Sequence, residues 1–76
     1  MPSRVPRITG REVVAAFAKV GYEVHRIKGS HHILKHPTKP RRLSVPVHKS
    51  KTVPPPLLRS LIRAAELTVD EFCQLL

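Results

Sequence analysis

Apolar positions recur at helical spacing towards both ends of the chain and at alternating spacing in its middle. Val13, Ala16, Phe17 and Val20 fall on one face of a helix. Thr9 opens that helix, Glu12 three residues on completes a capping box, and Gly21 is the residue that closes it. Residues 22–28 read as a first strand with imperfect alternation, and residues 31–36 as a second. Residues 42–47 are the third, where Leu43, Val45 and Val47 alternate with Arg42, Ser44 and Pro46. Pro46 cannot donate to a ladder and belongs at a strand end or on an edge strand. Pro54-Pro55-Pro56 leads into a second helix running to about Ala65. It turns Leu58, Leu61, Ile62 and Ala65 to the core. Thr68 and Glu71 open a short last helix whose apolar residues are Val69, Phe72, Cys73 and Leu76, with Cys73 a buried filler.

This order makes a single α+β domain over residues 1–76, with helices packed on one face of a three-stranded antiparallel sheet. Residues 1–8, with two prolines and two arginines, read as a flexible basic arm. The outline is also that of a double-stranded-RNA-binding domain, but a fold alone does not give a function.

Charge narrows the choice of partner. The 76 residues carry 14 Lys and Arg against 5 Asp and Glu, a formal charge of +9 that points to a polyanion. Between Val24 and Ala65 there is no acidic residue, while all five histidines lie there. A two-metal nuclease needs clustered carboxylates and is disfavoured. Histidine is the side chain of this stretch that changes charge near neutral pH. A chain this short buries only about 60% of its unfolded surface, which leaves little room for a deep substrate cavity. One cysteine forms no internal disulfide and fits a reducing cytoplasm. No run reaches the roughly 20 apolar residues of a membrane span, and no signal peptide is expected.

The candidate chemistry centres on Lys28-Gly29-Ser30-His31-His32. Gly29-Ser30 reads as a tight hairpin turn, with glycine supplying positive φ. A two-residue loop places Arg26, Lys28, His31 and Lys35 on one face. His31 then stands beside the Gly29 and Ser30 amides and Lys28, an arrangement suited to acid–base work on a phosphate. His31 and His32 point to opposite faces, so both cannot serve one site without a bulge. His32, His25 and His48 read as structural. His32 and His36 lie about 13 Å apart along a strand, too far for a zinc pair. Arg26, Lys35, Arg41, Arg42, Arg59 and Arg63 read as a phosphate-tracking surface.

Six motifs in order resemble HicA-type (YcfA-like) toxins, small ribonucleases of bacterial toxin–antitoxin pairs. They are Gly10-Arg11-Glu12-Val13 with Gly21-Tyr22, Lys28-Gly29-Ser30-His31-His32, His36-Pro37, Val45-Pro46-Val47-His48, the arginine-bearing residues 58–65, and Leu67-Thr68-Val69-Asp70-Glu71-Phe72. The likeness runs from Ile8 to Leu75. It implies a dsRBD-like fold, metal-independent endonuclease cleavage of mRNA without a cofactor, and neutralisation by a HicB-type antitoxin. The family's catalytic histidine falls on His31. Two positions depart from the family: Glu66 stands where glycine is frequent, and Pro54-Pro55-Pro56 replaces a Gly- and Lys-containing lead.

On this reading His31 is the general base for an RNA 2′-hydroxyl, and Lys28 with the Gly29 and Ser30 amides stabilises charge on the phosphate. DNA, lacking that hydroxyl, is spared. The acid for the 5′-oxygen stays open among His32, His36, Lys28 and His31 itself. The rival readings are a non-catalytic RNA-binding module of dsRBD-like fold and a purely protein-binding domain.

Overall fold

The computed structural model describes residues 4–76. Helix α1 (Gly10–Ala18) leads into strands β1 (Glu23–Lys28), β2 (His31–Lys35) and β3 (Leu43–Pro46), then helices α2 (Pro55–Ala64) and α3 (Val69–Cys73). The strands pair antiparallel in the order β1-β2-β3. This is the α+β order read from the sequence, with Tyr22, His36, Arg42 and Val47 lying just outside the strands. Pro46 sits at the last position of an edge strand, where no ladder bond needs its missing N–H.

Both capping boxes form. The Glu12 N–H donates to Thr9 Oγ1 at 3.3 Å, and the Thr9 N–H donates to Glu12 Oε1 at 3.0 Å. That backbone bond, helped by the Thr9 hydroxyl, holds the Glu12 carboxyl below its ordinary range. Thr68 and Glu71 repeat the pattern at 3.1 and 2.8 Å.

The two longer helices close in the same way. After α1, the Gly21 and Tyr22 N–H groups reach the Ala18 and Phe17 carbonyls, each at 3.2 Å. After α2, the Glu66 and Leu67 N–H groups reach Arg63 and Ile62 at 2.9 and 3.1 Å. This crossed pair requires a left-handed residue, met by Gly21 (φ 101°) and by Glu66 (φ 62°). A side chain in that conformation costs roughly 1–2 kcal/mol. Glu66→Gly is therefore expected to raise stability by about 1 kcal/mol, read as a higher urea midpoint at unchanged slope.

The core lies on one side of the sheet. Leu34, Leu43 and Val45 point there and meet Val13, Phe17, Val53, Leu58, Ile62 and Phe72, all essentially without solvent exposure. Phe17 packs edge-on to Tyr22 at 5.6 Å and against Phe72 at 5.1 Å between ring centres. Tyr22 is buried, and its hydroxyl has no hydrogen-bond partner among the described residues. Burial, reinforced by the Glu66 charge, raises its phenol above the ordinary 10.0. The folded state therefore holds that proton more tightly than the unfolded chain. Stability from this group is complete below pH 10.0 and is lost as pH climbs through the raised value.

Two expectations are corrected. The basic arm over residues 1–8 is fastened from Val5 onward; residues 1–3 lie outside the described part. Val5 is buried in the core, the Ile8 carbonyl accepts the Val53 N–H at 2.8 Å, and Thr9 bridges Thr52. Its apolar residues bury beside Val53, which outweighs the prolines and charges around them. Cys73 is exposed, not a core filler, and Leu76 is 52% exposed. Helix α3 is barely more than one turn and buries Phe72; its neighbour Cys73 is swung about 100° round the axis, away from the core.

Candidate RNA-cleaving face

Lys28 pairs directly with His31, so Gly29-Ser30 is a two-residue turn. Gly29 has φ 61°, the positive value that a II′ hairpin needs at its first central position. From this turn the register fixes both faces of the sheet. Arg26 lies opposite Ile33 and Lys28 opposite His31; on the other flank Ser44 lies opposite Ile33 and Pro46 opposite His31. Opposed residues share a face. Arg26, Lys28, His31, Lys35 and Ser44 thus stand together on the face without helices, as a two-residue loop requires. By alternation Arg42 joins the same face, one step before β3.

The imperfect alternation of the first strand has a structural cause. Val24 pairs with Leu34 but Arg26 with Ile33, leaving His25 as an extra residue. This bulge brings Val24 and Ile27 to the helix side despite their spacing. The helices cover β2 and β3 rather than β1, so these two residues stay 44% and 60% exposed.

His31 is exposed, and its Nδ1 lies 3.4 Å from Ser44 Oγ. In the tautomer that donates Nδ1–H to Ser44, the lone pair left on the ring is that of Nε2. The contact is long, so Ser44 orients the ring without holding it tightly. Sequence reasoning did not single out Ser44; its place in the β3 alternation was the available signal.

The other histidines separate. His32 is half-buried on the helix side, opposite Ile27 and Val45, and its Nδ1 has no partner among the described residues. His36 is engaged at both ring nitrogens. Nε2 lies 2.9 Å from the Val20 carbonyl, and Nδ1 accepts the Thr38 and Lys39 N–H groups at 3.1 and 3.2 Å. Since Nδ1 accepts, Nε2 carries the proton and donates it to Val20, tying the turn after β2 to the end of α1. Neither ring reaches the site of His31, which removes two of the residues considered as its acid. His48, read from the sequence as structural, instead has Nε2 3.2 Å from Ser30 Oγ, beside the hairpin turn.

The arginines do not form one surface. Arg59 and Arg63 are exposed on α2, which packs on the opposite side of the sheet from His31. Arg63 instead lines a shallow concavity of 270 Å³ with Pro40, Arg41, Ala64 and Glu66. A concavity of 510 Å³ lies at the other end of β1, lined by Gly21, Glu23 and His25 among others. A nucleic-acid backbone needs an open charged surface more than a pocket, and the face around His31 is open. Phe17, Tyr22 and Phe72, all the aromatic residues of the chain, are buried, so none offers a platform for a base. Among the described residues no three His, Cys, Asp or Glu side chains gather to hold a metal ion.

A family model described as the HicA toxin of bacterial toxin–antitoxin systems matches residues 10–67. The chain belongs to the HicA toxin family. The matched stretch takes in α1, the whole sheet and α2, and hence the hairpin with His31. Membership in this HicA family makes the chain the toxin component of a toxin–antitoxin pair and an antitoxin its partner. No curated protein matches the chain. Among the described residues no helix is long and apolar enough to cross a membrane.

Proposed function

We infer that this HicA toxin is a metal-independent endoribonuclease of the cytoplasm that cleaves mRNA through His31. The observation that carries the reading is the exposed His31 ring on a cationic, helix-free sheet face, with Nδ1 turned to Ser44. His31 Nε2 removes the proton of a ribose 2′-hydroxyl, and the freed oxygen attacks the adjoining phosphorus. Lys28, directly across the ladder, sits against the phosphate as its charge grows, together with the Gly29 and Ser30 amides. Arg26, Lys35 and Arg42 hold neighbouring phosphates without reading sequence. Arg59 and Arg63 serve strands that wrap towards the helices. Acidic segments of a HicB-type antitoxin suit the same basic face, so antitoxin and RNA exclude one another.

The reading is tested with the purified protein, an mRNA and a DNA of the same sequence, all in excess EDTA. RNA is expected to be cut and DNA left whole. Retarded migration of intact RNA at every protein concentration would instead mark a non-catalytic RNA-binding module.

A further inference from the structure

We propose that His48 is the general acid of the same site, delivering the proton to the leaving 5′-oxygen while His31 takes the one from the 2′-hydroxyl. This rests on the nuclease reading and completes it. The β3 register puts Ser44 and Pro46 on the open face. The Val47 N–H donates to the Ser30 carbonyl at 2.7 Å, which carries the ladder one rung beyond the strand. The next residue of that alternation is His48, diagonal to His31, and diagonal neighbours lie roughly 7–8 Å apart across a ladder. Backbone positions at about that separation can carry their rings to either side of one phosphate.

The ring has one side-chain contact, and the backbone that carries it is held in a turn. Ser30, the residue immediately before His31, has its hydroxyl 3.2 Å from His48 Nε2. Behind it the Lys51 N–H donates to the His48 carbonyl at 2.8 Å, closing a turn in which Lys49 has φ 41°. A lysine in a left-handed conformation is uncommon and costs free energy, so the fold holds this turn against local preference. His48, Lys49, Ser50 and Lys51 line a shallow concavity of 360 Å³ that would take the phosphate next along the strand. His48 Nδ1 has no partner among the described residues, which leaves it open to substrate. His32 and His36 offer no such access.

The 2′-oxygen forms a bond to phosphorus as His31 accepts its proton. The bond from phosphorus to the 5′-oxygen breaks with its electron pair on oxygen, and that oxygen takes the proton from the His48 imidazolium. The products are a 2′,3′-cyclic phosphate and a 5′-hydroxyl. His31 is left charged and His48 neutral, and exchange with water restores both.

The test compares an RNA with the same RNA carrying sulfur in place of the bridging 5′-oxygen at the mapped cut site. A thiolate leaves without being protonated, because thiols are far stronger acids than alcohols. His48→Ala and His48→Gln are expected to slow cleavage of ordinary RNA by about 10²–10⁴-fold and to regain most of the wild-type rate on the sulfur substrate. His31→Ala is expected to be slow on both. His48 variants that cut ordinary RNA at the wild-type rate, or that are equally slow on both substrates, would overturn the assignment while leaving His31 as base. A wild type that cuts neither would instead remove the nuclease reading on which the proposal stands.

Discussion

His31→Ala is expected to slow RNA cleavage by about 10²–10⁴-fold, the usual worth of a positioned proton acceptor. RNA affinity should change little, because the proposed phosphate contacts are those of Arg26, Lys28, Lys35 and Arg42, whose charges the substitution leaves in place. Stability should also hold to within about 0.5 kcal/mol, since the ring is exposed and contributes nothing to the core. The measurement is single-turnover cleavage beside a binding titration and a urea melt on the same preparation. Loss of binding in step with cleavage would mean that His31 holds the RNA and does not act on it. Ser44→Ala, which removes only the partner at 3.4 Å, is expected to cost less than removing His31 itself.

Gly10→Ala is expected to destabilise the fold by about 1–3 kcal/mol, the range found when an already filled site is overpacked. An ordinary Gly→Ala change within a helix gains up to about 1 kcal/mol, so here the sign is reversed. The reason is a close approach of two backbones. A Cβ on Gly10 would lie 2.0 Å from the Pro46 carbonyl oxygen and 3.0 Å from Val47 Cα. Neither atom belongs to a flexible side chain, so α1 must lift away from the end of β3. That end holds Val47 against Ser30, beside the hairpin that presents His31, and activity should fall with stability. An unchanged or higher urea midpoint would contradict this packing.

Local signals in the sequence reached a long way. Thr9 with Glu12, Thr68 with Glu71, and Gly29 at the turn each fix backbone geometry through neighbours within three residues, and all three form as read. Because the loop length sets the register, the shared face of Arg26, Lys28, His31 and Lys35 was legible as well. What escaped depends on long-range packing. The His25 bulge is chosen by the pairing of β1 with β2, and only its trace, a broken alternation, shows in the sequence. Val5 finds the core because Val53 and Ile8 come together across most of the chain. His48 comes to the hairpin through Ser30, 18 residues away in the chain, and no local pattern announces that contact. Arg59 and Arg63 fall outside the site because α2 sits on the other side of the sheet.

If His31 turns a ribose against its own backbone, the broken ends must record it. The decisive measurement is the mass of the fragments made in EDTA. The account predicts 2′,3′-cyclic phosphate ends (or the monophosphate formed when they open) facing 5′-hydroxyl ends. Fragments bearing 3′-hydroxyl and 5′-phosphate would mean that water, not the ribose, attacked, and would contradict it.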